Sequence, residues 1–322
     1  MDSDPQPHAA LHRVRRWLRW IVPFAVSGAL LAWLFARTDF SGVVEKVDAR
    51  VLAILLPALA VYGVVSLWAE AQSLVRAIET SGQSLGAWTC ARIKAATYLF
   101  AIVHYAVGAG VLAVLLKRRT QVRLSDATGV VAFIAALDLI VLLFLAAIGA
   151  ATLTRREPAL QLGIVLIGVA GLVGGLLLLR APIHLGGFIE RIRNYPLFRA
   201  ARTTSIPKLA ELAGLRLLFV ASFMSMAAMS LYAFGIEVPV GDMIVGFTAV
   251  ALVAALPIAV SGLGTGQAAW LYIFRHWSDP ETLLASSLAL SLGMIGLRAG
   301  VGLLFARELT REAMEAAKEV EA

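Results

Sequence analysis

Two ionisable residues stand inside apolar runs long enough to cross a lipid bilayer: Asp138 within Ala127 to Thr152, and Arg298 within Thr282 to Ala306. A charge at the centre of a bilayer costs at least about 2.5–3.5 kcal/mol, so each must face a partner or water. Such positions suit the binding of a polar group in a dry setting; the alternative is a buried ion pair between the two that only fixes helix register. More polar residues fall where the apolar pattern breaks. Arg92, Lys94 and His104 belong to the first break, Gly86 to Leu116, interrupted by Gly108-Ala109-Gly110. Pro257, Ser261, Gly262, Gly264, Thr265 and Gln267 belong to the second, inside Asp242 to His276. His104 could equally bond a backbone carbonyl, and the glycines could be packing residues of ordinary transmembrane helices.

Covalent and metal chemistry lack their residues. The chain has no HExxH, no GxSxG, no GK[ST] phosphate loop and no histidine cluster, so metal hydrolysis, serine acyl transfer and nucleotide hydrolysis are not expected. The single cysteine, Cys90, excludes an intrachain disulfide and any multi-cysteine zinc site. Gly262-Leu263-Gly264-Thr265-Gly266 has the glycines of a dinucleotide loop without a preceding strand or a downstream ribose acid. Neither a cofactor nor a catalytic residue is expected.

The elements that must position these residues follow from composition. The 322 residues are 60% hydrophobic and 15% charged, with a mean hydropathy of +0.82, where soluble domains run at about 45–50% and about 25%. Only lipid can solvate that excess, so the expected fold is an all-α polytopic membrane protein. The formal charge of +7 gathers between apolar runs, which reports orientation and contact with anionic lipid rather than nucleic acid. Six runs read as full spans: Trp17 to Ala36, retained because its core is too long for a signal peptide, then Val51 to Glu70, Ala127 to Thr152, Leu160 to Arg180, Leu215 to Gly235 and Thr282 to Ala306. If Gly86 to Leu116 enters and leaves on one side, every strongly basic loop is cytoplasmic, as the positive-inside rule requires. The reading is therefore six spans plus two re-entrant hairpins, with units at about 51–152 and 215–306 forming inverted repeats. One transmembrane domain, 17–306, lies between a basic cytoplasmic N-terminus, 1–16, and a polar cytoplasmic tail, 307–322. An interfacial linker, 181–211, is broken by Pro182, Pro196 and Pro207.

Leu256-Pro257-Ile258-Ala259-Val260-Ser261-Gly262-Leu263-Gly264-Thr265-Gly266-Gln267 resembles the most recognisable motif of the lysylphosphatidylglycerol synthase transmembrane family, L-P-I-x-x-G-G-L-G-x-R-E. A helix ending near Arg76, the pair Gly108-Ala109, Asp138 and Arg298 fall in the family's order, so the resemblance covers nearly the whole chain. Several charged family positions differ: Ile134-Ala135 replaces a Glu-Arg one turn before the Asp, Gly266-Gln267 replaces the Arg-Glu, and His104 to Gly110 replaces P-G-x-x-G-G-D. The resemblance implies a translocation module without the soluble aminoacyl-transfer domain of larger members, in a divergent branch with a less charged lipid. Some divergent relatives are associated with hopanoid synthesis.

The expectation is thus an inner-membrane lipid translocase, flippase-like, passing a polar or amphiphilic headgroup between leaflets without nucleotide hydrolysis. Its lipid-binding residues would be Arg92, Lys94, His104, Asp138, Pro257, Ser261, Gly262, Gly264, Thr265, Gln267 and Arg298. Expected partners are a membrane lipid substrate and anionic lipid at the cytoplasmic face, with a second copy or a lipid-synthesis enzyme as the protein partner. The alternatives are an intramembrane enzyme or accessory subunit of polyprenyl, hopanoid or phospholipid synthesis, and a noncatalytic scaffold.

Overall fold

The computed structural model describes residues 44–153, 204–255 and 263–306, with positions 32, 162–166, 168–171, 174 and 202. The ordered elements among them are all helices: α1 (Ala49–Glu79), α2 (Ala87–Val103), α3 (Tyr105–Thr120), α4 (Leu124–Ala151), α5 (Ile206–Ala233), α6 (Val240–Ala255), α7 (Thr265–Phe274) and α8 (Pro280–Leu304). α1, α4, α5 and α8 have 25 or more residues and mean hydropathies of 2.3, 2.9, 1.7 and 1.6. At 1.5 Å per residue each exceeds the hydrocarbon core of about 30 Å. These four are the expected runs from Val51, Ala127, Leu215 and Thr282. The expected spans Trp17 to Ala36 and most of Leu160 to Arg180, the basic N-terminus, most of the linker and the tail lie outside the described residues.

Two boundaries differ from expectation. α1 continues past Glu70 to Glu79, because Leu74, Val75 and Ile78 carry its apolar face onward into a buried cluster. α5 starts at Ile206, so Pro207 does not break a linker; it occupies the first helical turn, where its missing N–H has no bond to lose.

Contacts between helix ends give the directions. Arg76 Nε meets Glu211 Oε1 at 2.5 Å and Lys208 Nζ meets Glu79 Oε2 at 2.8 Å. The end of α1 therefore lies beside the start of α5, and the two run antiparallel. α1 and α8 start together, with Lys46 Nζ 3.9 Å from Asp279 Oδ2. They interlock: a Cβ at Gly63 would come within 2.9 Å of Leu297, and one at Gly293 within 2.6 Å of Leu59. Small residues at such crossings let helix backbones approach closely.

Between the long helices lie two helical hairpins. Trp88, at the start of α2, packs edge-on to Phe305 beyond the end of α8, ring centroids 5.8 Å apart. At the other end of the bundle, the last turn of α4 packs on the first turns of α6, where a Cβ at Gly149 would lie 3.0 Å from Ile244. Hairpin α2–α3 thus opens at the end where α1 finishes, and hairpin α6–α7 at the end where α1 begins. α2 packs on α8 as α6 packs on α4, so exchanging α1 to α4 with α5 to α8 maps one set of contacts onto the other.

Among the described residues two large clusters make up most of the buried core. One cluster joins Leu74, Ile78, Ile93, Leu112, Leu116, Val130, Leu137 and Leu212 around the first hairpin. The other joins Leu55, Tyr62, Val141, Val220, Leu231, Trp270, Phe274 and Leu290 around the second.

The first hairpin breaks at His104, not at Gly108-Ala109-Gly110. His104 has an extended backbone (φ −161°, ψ 132°) that ends α2 and starts α3, and its Nδ1 accepts a hydrogen bond from the Ala106 N–H at 3.1 Å. Gly108 lies inside α3, where a Cβ would come within 2.8 Å of Ala101 Cβ, so it allows α3 to fold back tightly on α2.

Candidate functional site

Between the two core clusters lies a belt of charge. On α1, Glu70 falls between Tyr62 of one cluster and Ala71 of the other; on α4, Asp138 falls between Val141 and Leu137; on α5, Arg216 falls between Val220 and Leu212. Each of these helices turns from one apolar core to the other at its charged residue. Arg216, only 2% exposed, donates from Nε to Asp138 Oδ1 at 2.6 Å and from Nη2 to Asp138 Oδ2 at 2.9 Å. This two-point geometry is what lets a guanidinium and a carboxylate share a low-dielectric site. The guanidinium also lies over the Phe219 ring, 4.2 Å from its centroid. Glu70 accepts from Lys94 Nζ at 2.8 Å and from the Tyr98 hydroxyl, which joins α1 to α2.

Arg298 completes the belt. Its guanidinium stands 6.0 Å from the centroid of the Tyr98 ring and interacts electrostatically with Tyr62, Glu70 and Tyr98. Asp138 is not its ion-pair partner: Asp138 is taken by Arg216, which is buried on α5 with both guanidinium donors aimed at it. Asp138 and Arg298 nevertheless line one cavity of about 100 Å³ with Glu70, Lys94, Tyr98 and Arg216. A second cavity, of about 320 Å³, has largely apolar walls that include Phe223, Trp270, Leu290 and Met294. Ala101, Tyr105 and Arg298 line both, so the two adjoin. Ala101 and Tyr105 flank the tip of the first hairpin, while Ala254 and Gly266 of the second line the larger cavity.

A family model described as the lysylphosphatidylglycerol synthase TM region matches residues 20–296. The chain belongs to that family. It is therefore a multi-pass membrane protein of lipid-related processes. No curated protein matches the sequence.

Set on this lysylphosphatidylglycerol synthase transmembrane scaffold, the expected site residues separate into three groups. Lys94, Asp138 and Arg298 come together at the charged cavity. His104 and Gln267 hold the backbone instead. His104 caps α3; Gln267, 1% exposed, accepts from the Gly264 N–H through Oε1 at 2.7 Å and donates from Nε2 to Ser291 Oγ at 2.9 Å. Gly264 precedes α7 at φ 87°, a left-handed conformation that glycine adopts without a Cβ clash. Thr265 is buried in the first turn of α7, and neither it nor Arg92 lines either of these two cavities. Pro257, Ser261 and Gly262 lie outside the described residues.

Glu70 and Arg216 are charged cavity-lining positions that sequence reasoning missed. Both sit at the margin of an expected span and were read as its boundary. Their signal was present: Ala71 to Ile78 continues the apolar pattern beyond Glu70, and Leu209 and Leu212 extend it before Arg216. Tyr98 and Tyr105 gave no signal, since aromatic residues are ordinary in membrane helices.

Proposed function

We propose that this chain is an inner-membrane lipid translocase that moves a polar or amphiphilic lipid between leaflets. The observation that carries the reading is a charged cavity at mid-bundle, walled by residues that flank the turn of the first hairpin and adjoining an apolar cavity that Ala254 and Gly266 of the second hairpin line. Moving a headgroup through hydrocarbon leaves its polar atoms unpaired, at several kcal/mol. A belt offering Lys94, Tyr98, Arg216 and Arg298 would replace water at the depth where the barrier is highest. Family membership supports a lipid as the cargo.

In this reading the two hairpins enter the membrane from opposite faces, and the two four-helix units are inverted repeats. The antiparallel pairing of α1 with α5 supports it, as does the exchange symmetry of the contacts. Short helices ending within a membrane are tolerable only where their backbone is buried in protein or lines a wet cavity. Lys117, Arg118, Arg119, Arg123 and Lys208 fall at the end where α1 finishes, with Glu79, Asp126 and Glu211; Lys46, Arg50 and Arg275 fall at the other, with Glu45, Asp48, Glu237, Asp242, Asp279 and Glu281. The positive-inside rule makes the first end cytoplasmic. In a Cys90→Ala background, Arg118→Cys should resist an impermeant thiol reagent added to intact cells and Glu237→Cys should react; the reverse would overturn this threading.

Proteoliposomes carrying a fluorescent phospholipid test translocation. External reductant bleaches only the outer leaflet unless lipid exchanges, so bleaching beyond the outer-leaflet share is the expected result and its absence would count against the reading. Gly266→Leu is the matching variant. Among the described residues an added Cβ there meets Ala254 Cβ, at 3.8 Å, an ordinary contact, so the side chain should enter the larger cavity and slow exchange in a folded protein.

A further inference from the structure

Among the described residues three line both cavities: Ala101, Tyr105 and Arg298. Ala101 carries only a methyl group, set against Gly108, where an added Cβ would come within 2.8 Å of it. Arg298 is held in place, hydrogen-bonded to the Tyr62 hydroxyl and lying in the fields of Glu70 and Tyr98. Tyr105 is different. It is 62% exposed where Tyr62 is 5% exposed, so its ring projects into open space rather than into packing. The Tyr98 hydroxyl is bonded to Glu70 and the Tyr62 hydroxyl to Arg298; among the described residues the Tyr105 hydroxyl meets Lys94, Asp138, Glu70 and Arg216 through their charges alone.

At this position the side chain can turn and the backbone cannot. The close approach of Gly108 to Ala101 fixes α3 on α2, and the Val107 and Gly108 N–H groups both donate to the His104 carbonyl. Inside a helix a χ1 of about +60° runs into the preceding turn, but Tyr105 is the first residue of α3 and its own helix supplies no such turn. Rotation about the Cα–Cβ bond can therefore swing the ring across the junction without moving a helix.

We propose that Tyr105 is a selectivity gate between the charged and the apolar cavity, admitting or refusing a headgroup by its bulk. The gate presupposes the lipid path proposed above and names the residue that regulates it. With the ring across the junction a large headgroup is stopped; with the ring turned aside the junction widens by the volume of a phenol. The hydroxyl gives this motion a resting side. All four charges that act on it line the smaller cavity, and a phenol tip turned into the apolar one would lose them. Exposed side chains change rotamer within nanoseconds, faster than helices move, so the gate can respond to each headgroup that reaches it.

Leaflet exchange by the full chain in proteoliposomes, followed separately with acyl-labelled phosphatidylglycerol and acyl-labelled phosphatidylinositol, tests the gate, because the two lipids carry the same charge and differ in headgroup bulk. The parent should exchange phosphatidylglycerol severalfold faster. Tyr105→Ala should erase that ranking by speeding phosphatidylinositol, Tyr105→Trp should slow both severalfold, and Tyr105→Phe, which keeps the ring, should keep the ranking. Equal rates for the two lipids in the parent, or an unchanged ranking in Tyr105→Ala, would overturn the gate. A second measurement needs no transport. In a Cys90→Ala background, Ala109→Cys places a thiol at the charged cavity and Ala254→Cys one at the apolar cavity, so a bis-maleimide that bridges them crosses the junction. Bridging in detergent should be severalfold faster with Tyr105→Ala than with the parent tyrosine and slower with Tyr105→Trp; equal rates in all three would also overturn the gate. Should Tyr105→Ala not fold, Tyr105→Trp against Tyr105→Phe decides the same question. Bridging that depends on residue 105 without leaflet exchange would leave the gate and defeat translocation; leaflet exchange indifferent to residue 105 would do the opposite.

Discussion

The two hairpins occupy equivalent places in the contact pattern but do different work. The first turns over at a single residue, His104, and contributes Lys94, Tyr98 and Tyr105 to the charged cavity. The second contributes aromatic bulk: Phe247, Trp270 and Phe274 pack with ring centroids 5.0–5.5 Å apart. Its polar groups are spent internally, Gln267 on Gly264 and Ser291, and the Trp270 indole N–H on Ser286 Oγ at 3.1 Å. Similar hairpins thus divide charge and apolar bulk between them, because charges can be kept at this depth only where partners from other helices meet them.

If that division is right, the costliest damage falls on the charged side. Asp138→Ala would leave Arg216 buried without its carboxylate and should destabilise the protein by about 3–5 kcal/mol, read from the unfolding midpoint in detergent. Asp138→Asn combined with Arg216→Gln should cost less than the sum of the single changes; additive losses would separate the two residues. On the apolar side, Gln267→Ala strips the Gly264 N–H of its acceptor and should cost about 1–3 kcal/mol. A loss there larger than at Asp138 would invert the comparison. His104→Ala should cost less, about 0.5–1 kcal/mol, because this cap is partly exposed and water can replace it, while His104→Asn restores much of the loss.

The smallest effect separates the helices that follow the hairpins. α8 begins on Asp279, whose side chain accepts from the Thr282 N–H at 2.9 Å, whereas α4 begins on Arg123 with no side-chain cap. Desolvation pushes the Asp279 carboxyl up, but hydrogen bonds from the Thr282 backbone and hydroxyl and the nearby Lys46 outweigh it and hold the group below the usual carboxylate range. With the folded value depressed, its stabilisation is present above the ordinary aspartate range and is lost as pH falls through the folded value. Asp279→Asn keeps the cap but should flatten that acid dependence, measured as the thermal midpoint against pH. Because the group is half exposed, the change should be slight.

Some of this was legible in the sequence because it follows from solvation alone. An excess of apolar residues requires lipid, runs of 20 or so residues require helices, and an ionised side chain inside such a run requires an interior environment; hence the membrane class, the four long helices, and the placing of Asp138, Lys94 and Arg298 at a cavity. The turn at Gly264 before α7 was legible because glycine leaves a local mark. What only the tertiary structure decided is who meets whom. Arg216 lies 78 positions from Asp138, and its selection over Arg298 depends on α5 passing α4 at the right height. Glu70 looked like the edge of a span because its partners, Lys94 and Tyr98, come from another helix. The turn at His104 lacks a proline or glycine and is fixed by α3 folding back on α2 through Gly108. Local chemistry sets how much a charge costs and where a helix can end; long-range packing alone supplies the partner that offsets the cost, because no short stretch of chain contains both halves of the contact.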